Sequence, residues 1–149
     1  MEIIKGGATA AKGFFATSCE ANIKYQNRTD MALLFSKEPC VSAGTFTTNV
    51  VKAACVQWDQ KLVASGDAMH AVVINSGIAN ACTGQEGFDA CEATAKAVEG
   101  CLNVPFNSVA VASTGVIGMQ LPVDKLVAGV EKMSKTLDDS IEAGTLASK

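Results

Sequence analysis

The feature that most constrains this chain is a pattern met twice in succession: a short apolar run, a glycine-bearing turn, then an amphipathic helix. The sharper copy begins at Ser108. Ser108 to Ala112 are small or β-branched, as in a buried strand, and the run stops at Ser113-Thr114-Gly115. The other copy starts with the apolar run Ala71 to Ile74 and passes through NSGIANACTGQEG, Asn75 to Gly87, read as a long loop. After that loop Phe88, Cys91, Ala95, Val98 and Leu102 share one helical face, opposite Asp89, Glu92, Lys96 and Glu99, until Pro105. Following Ser113-Thr114-Gly115, a last helix has Pro122 in its first turn, a buried face of Val123, Leu126, Val127, Val130, Met133 and Leu137, and a Glu131–Lys135 pair one turn apart. Successive βα units predict an α/β fold.

Upstream the pattern continues less regularly. Met31 to Phe35 and Gly44 to Thr48 read as strands, and Asn49 as the cap of a helix burying Val51, Ala54, Cys55, Trp58 and Leu62 and closing near Gly66. Trp58 is read as a core anchor. Gly6 and Gly7 suggest a loop, Phe14 and Phe15 an extended piece, and Ala21 to Tyr25 a further strand. At 149 residues the chain is one domain or part of one, and 48% hydrophobic content with only 5% aromatics means an aliphatic core.

Charge and cysteine usage remove several functions. Twelve basic residues against 15 acidic ones, with no basic run, argue against nucleic acid. The apolar segments are too short to span a bilayer, and MEIIKGGATAAKG lacks the apolar centre of a secretion signal, so no membrane association and a cytoplasmic location are expected. Cys19, Cys40, Cys55, Cys82, Cys91 and Cys101 then read as reduced, mostly buried thiols. No C-x-x-C occurs and His70 is the single histidine, so neither a metal site nor a Ser-His-Asp set can be assembled. His70 is taken as a partly exposed edge residue, and Cys82 has no base beside it to make it a nucleophile.

What remains is the pair of turns. Loops at the carboxyl ends of strands build ligand sites in α/β sheets, so Asn75 to Gly84 and Ser113 to Gly118 are expected to line one pocket. The Ser-Thr-Gly turn offers backbone N–H groups and a hydroxyl with nothing bulky in front of them, a corner suited to an anion. Acyl transfer creates such an anion, and the hydroxyl of Thr114 beside the N–H of Gly115 forms a plausible pair of donors for it. Asn75, Ser76, Asn80 and Thr83 are candidates for pocket lining, although residues of these types in long turns commonly satisfy backbone groups instead. Peptide hydrolysis, or noncatalytic binding of a small anion, would use the same corner.

Four stretches together carry a resemblance: AAKGFFA at Ala10 to Ala16, AGTFTTNVVKAACV at Ala43 to Val56, NSGIANACTG at Asn75 to Gly84, and STGVIGMQLPVDKL at Ser113 to Leu126. In this order and spacing they resemble the ornithine acetyltransferase family, also called bifunctional glutamate N-acetyltransferase. The resemblance implies an αββα sandwich made as a precursor that cleaves itself into an alpha and a beta chain. It also implies a heterotetramer of two of each, and no cofactor, with acetyl-CoA a second donor in some members. A Thr at the start of the beta chain takes acetyl from N-acetylornithine and passes it to glutamate in cyclic arginine synthesis. The family's oxyanion hole maps onto Thr114 and Gly115. The family's self-cleavage segment is absent, so residues 1–149 are expected to be a single alpha-chain domain that ends before it and is inactive alone. Ile78 and Cys55 stand where the family commonly has Asn and Pro, and residues 17 to 29 match it poorly.

Overall fold

The computed structural model describes residues 7–149; the first six residues, with Gly6 of the expected opening loop, lie outside them. A 3-10 turn at Ala8–Ala10 precedes four strands and four helices. These are β1 (Phe14–Cys19), β2 (Met31–Cys40), α1 (Ala54–Ser65), β3 (Met69–Asn75), α2 (Gly84–Leu102), β4 (Val109–Ser113), α3 (Val123–Met133) and α4 (Ile141–Ala147). The strands form one sheet in the order β1-β2-β3-β4. The first two pairings are antiparallel, whereas β3 and β4 run parallel from Ala71 beside Val109 to Asn75 beside Ser113. A parallel pair needs a crossover, which α2 supplies.

Strand alternation decides what is buried. Met31, Leu33, Ala71, Val73, Val109 and Val111 meet Trp58 and Leu62 of α1, Cys91, Ala95 and Val98 of α2, and Leu126, Val130 and Met133 of α3 in one core. The intervening residues Leu34, Val72 and Ile74 lie on the other face, where they wall two surface hollows.

β4 is an edge strand, and α1 covers it. The Trp58 Nε1–H donates to the Val109 carbonyl at 3.0 Å, and the Asp59 carboxylate accepts from the Val111 N–H at 3.0 Å. Burial pushes the Asp59 carboxyl up to about 6, partly offset by the Val111 amide. The entry to β4 is fixed by Glu99, whose carboxylate accepts the Ser108 N–H at 3.2 Å and whose pKa burial also raises.

Several readings of the sequence are corrected. Gly44 to Thr48 forms no strand; residues 41–53 lack regular structure. Asn49 caps a local turn, accepting the Val51 N–H at 3.0 Å, and α1 starts only at Ala54, whose N–H is taken by the Asn80 carbonyl. Val51 is correspondingly exposed. Ala21 to Tyr25 is a bend, because the buried Asp30 carboxylate accepts the N–H groups of Ala21 and Ile23, both at 2.7 Å, and draws the segment off any strand path. α2 begins at Gly84, so the loop before it is shorter than expected. Gly87, read as a loop residue, sits inside the first turns: a Cβ there would lie 1.9 Å from the Thr83 hydroxyl. Pro122 stands just before α3, and Lys135 falls beyond its end at Met133, which removes the geometry for pairing with Glu131. The one ion pair among the described residues is Glu92–Lys96, on α2. All six cysteines are free, but only Cys55 and Cys91 are buried, while Cys82 and Cys101 are exposed. α4, capped by the Ser140 hydroxyl, has no counterpart in the apolar pattern.

Candidate functional site

The two turns leave the same end of the adjacent strands β3 and β4, and their backbones stay paired beyond the sheet. The Asn75 carbonyl accepts the Thr114 N–H at 3.0 Å, Gly77 accepts from Val116 at 3.1 Å, and Val116 accepts from Ala79 at 3.0 Å. Asn75, only 3% exposed, is the hub of this arrangement. Its side-chain oxygen accepts the Ser113 hydroxyl at 2.6 Å, and its amide nitrogen donates to the Ile78 carbonyl at 3.3 Å. Ile78, also buried, bridges to Val116.

This zipper puts Gly115 against the Gly77–Ile78 peptide. Gly115 has φ +136°, and a Cβ on it would stand 2.3 Å from the Gly77 carbonyl carbon. Only glycine meets both demands. The consequence for Thr114 and Gly115 is unequal. The Thr114 amide is taken by Asn75, whereas the Thr114 hydroxyl and the Gly115 N–H have no partner among the described residues. Both residues are exposed. The corner therefore presents one hydroxyl and one amide, the Thr114 and Gly115 donors named from the sequence.

The remaining candidates divide. Ser76 is half-buried, donates its N–H to the Asp30 carbonyl at 2.8 Å, and with Asn75 lines a hollow of about 430 Å³. Asn80 is fully buried. Its amide nitrogen donates to the Gly87 carbonyl at 2.8 Å and contacts the Cys91 sulfur at 3.1 Å, and its oxygen accepts the Thr83 hydroxyl at 2.6 Å. Asn80 and Thr83 thus hold the loop to the start of α2. Cys82 is exposed at φ +58°. His70 is half-buried on β3, its Nδ1 3.0 Å from the Ser36 carbonyl, away from the turns. Sequence reasoning missed Asp30, whose carboxylate and carbonyl tie the 20–30 bend to Ser76; an acid immediately before a strand and after a run rich in Asn was the available signal.

Chemically, the corner can stabilise negative charge, and among the described residues no histidine or carboxylate hydrogen-bonds to Thr114 or Gly115. Among the described residues no cluster of three His, Cys, Asp or Glu side chains could hold a metal ion, and no helix is long and apolar enough to cross a membrane.

Fold and corner together define a mixed α/β protein with an anion-suited turn at the carboxyl ends of two parallel strands. Comparison with known proteins narrows this class. The ArgJ family model matches residues 15–147, and the chain belongs to the ArgJ family, as an N-terminal part of it. It is 50% identical over 125 residues to the arginine biosynthesis bifunctional protein ArgJ of Streptomyces avermitilis, covering 83% of this chain and 32% of the relative. The ArgJ of Thermotoga neapolitana is 43% identical over 127 residues, covering 85% and 32%. The chain thus spans about a third of the length of these curated relatives. Among solved structures, the ornithine acetyltransferase of Mycobacterium tuberculosis, complexed with ornithine, superposes with a TM-score of 0.90 at 43% identity, over 95% of this chain and 76% of that one. The ArgJ of Bacillus halodurans gives 0.88 at 34% identity, over 97% and 76%.

Proposed function

We propose that this chain is the alpha-chain part of a glutamate N-acetyltransferase, in which the Thr114 hydroxyl and the Gly115 N–H stabilise the oxyanion of acetyl transfer from N-acetylornithine to glutamate. The observation that carries the reading is the Ser113–Gly115 corner: two unpartnered donors at a strand end, held rigid by Asn75 and Gly77. Prearranged donors of this kind act where charge develops, and removing one costs about 10² to 10³ in turnover. Membership of the ArgJ family, and the likeness to an ornithine acetyltransferase solved with ornithine, support the same reaction.

The nucleophile comes from outside the chain: a Thr at the start of a beta chain. Its oxygen attacks the acetamide carbonyl of N-acetylornithine and the carbonyl π electrons move onto oxygen, where Thr114 and Gly115 meet them. The intermediate collapses by breaking the C–N bond, ornithine leaves with the proton that the Thr gave up, and an acetyl ester remains. The glutamate amine then attacks that ester, passes through the same oxyanion, and regenerates the Thr hydroxyl. The alpha and beta chains assemble two by two, in the cytoplasm, without a cofactor, and acetyl-CoA serves as a second donor.

Two measurements test this. Intact mass spectrometry of the native protein should find a companion chain beginning with a free Thr, and that preparation should move acetyl from N-acetylornithine to glutamate. Hydrolysis of N-acetylornithine at a rate indifferent to glutamate would overturn transfer in favour of an amidohydrolase.

A further inference from the structure

The inward faces of β3 and β4 change character at their last residues. Ala71 and Val73 on β3, and Val109 and Val111 on β4, put apolar side chains into the core, and the next positions on the same faces are Asn75 and Ser113. The parallel register sets these two side by side. Asn75 is only 3% exposed, in a slot that strand alternation gives to an apolar residue. A buried amide is costly unless both its oxygen and its nitrogen are hydrogen-bonded.

Both atoms are bonded, and each bond reaches a different part of the corner. The side-chain nitrogen donates to the Ile78 carbonyl at 3.3 Å, which turns the side-chain oxygen toward Ser113 and makes the Ser113 hydroxyl the donor of the 2.6 Å bond between them. The Asn75 main-chain carbonyl accepts the Thr114 N–H at 3.0 Å. Gly115, next along, packs on the Gly77–Ile78 peptide, where a Cβ would stand 2.6 Å from the Ile78 nitrogen. One residue thus bonds Ser113 and Thr114 directly and fixes Ile78, whose peptide supports Gly115. Among the described residues, the only other side-chain hydrogen bond from one turn to the other runs from the Gln120 amide to the Thr83 carbonyl at 3.3 Å, beyond the corner.

We infer that the Asn75–Ser113 bond is a positioning element of acetyl transfer: it sets the direction in which the Thr114 hydroxyl and the Gly115 N–H point, and through them the stability of the oxyanion. The inference rests on the transfer reading above and adds to it two positioning residues that touch no reacting atom. Ser113 immediately precedes Thr114, so a bond on its side chain limits rotation of the strand end that carries both donors. Donors act on a transition state only when already aimed, and a displacement of about 1 Å can cost about 10²-fold in rate. A fault in aim slows the chemical step, whereas ground-state affinity for the substrate, which draws on other contacts, stays nearly as it was.

The test uses the complete active protein, alpha and beta parts together. Ser113→Ala removes the hydroxyl and leaves the Asn75 oxygen buried without a donor. It should lower kcat by about tenfold or more while KM for N-acetylornithine stays within about twofold, and Ser113→Thr, which keeps a hydroxyl, should recover most of the loss. Combined with Thr114→Ala, Ser113→Ala should lower kcat by less than the product of the two separate effects, because a donor that is gone cannot be misaimed. An unchanged kcat for Ser113→Ala, a loss confined to KM, no recovery with Ser113→Thr, or full multiplication with Thr114→Ala would overturn the pair as a positioning element. If Ser113→Ala does not fold, Ser113→Cys decides, since a thiol keeps the size of the side chain and donates only weakly: a lower kcat at unchanged KM upholds the pair, and an unchanged kcat overturns it. An unmodified protein that transfers no acetyl would instead overturn the function on which the inference rests, so the two failures are distinguishable.

Discussion

At the scale of single residues, the site is held by a few positions with no freedom to vary. Gly115 is the strictest. Gly115→Ala combines a left-handed φ with a Cβ placed 2.3 Å from the Gly77 carbonyl carbon, so the backbone pairing of the two turns must open. We expect both a lower melting temperature and loss of acetyl transfer; a variant that keeps both would show that the Gly115–Gly77 contact positions nothing. Gly87 makes a parallel case without chemistry. Gly87→Ala would collide with the Thr83 hydroxyl and Asn80 and should cost about 1–3 kcal/mol by overpacking, read from denaturant unfolding, with catalysis changed only as far as the Asn80 loop shifts.

At the scale of elements, α1 and β4 act as a unit, because Trp58 and Asp59 pair with the open edge of the strand that delivers Thr114. Asp59 makes this pairing pH-dependent. Its carboxyl is raised in the folded state to about 6 from an ordinary 3.8, so the fold binds more protons than the unfolded chain between those values. Its contribution to stability is fully present below the lower value and is lost as pH rises through the upper one. Asp59→Asn keeps an acceptor for the Val111 N–H and removes the titration. The variant should show a flatter stability profile from about pH 4 to pH 6 and be at least as stable as the unmodified chain at pH 7; an unchanged slope would exclude Asp59 as its source. Much of this scale was legible in the sequence: the periodicity of α2 and α3 and the apolar runs of β3 and β4 come from burial on one face, which leaves a local signature. Gly44 to Thr48 misled because β-branched residues followed by Asn-type turn chemistry look the same when nothing pairs with them. The start of α2 at Gly84 was hidden because two glycines disguise a helical turn whose stability comes from Asn80 and Thr83. α4 was invisible for a related reason: its support is a Ser140 cap and close contact at Gly144, not an apolar stripe.

At the scale of the whole molecule, the sheet is covered by α1, α2 and α3 on one face, while the other carries apolar residues around a hollow of about 380 Å³ that includes Phe14, Leu34, Met69 and Val72. Relatives of which this chain is about a third have ample further sequence to cover that face. Expressed by itself, the chain should bind an apolar-surface dye and self-associate in light scattering, and co-expression with the remaining family sequence should suppress both; a monodisperse chain without dye binding would mean that the face needs no cover. The strand-end corner and its two donors could be read from the sequence, since a small-residue turn after a buried run is a local signal, but the pairing that holds the corner in place could not. Only the parallel register of β3 and β4 shows that the Thr114 amide is taken by Asn75 while the hydroxyl and the Gly115 N–H stay without a partner among the described residues. The most direct measurement is therefore acetyl transfer by the complete protein carrying Thr114→Ala, set against Thr114→Ser. The account predicts a fall in turnover of about 10² to 10³ for the alanine variant with most of it restored by serine, and a Thr114→Ala rate within about twofold of the unmodified protein would contradict it.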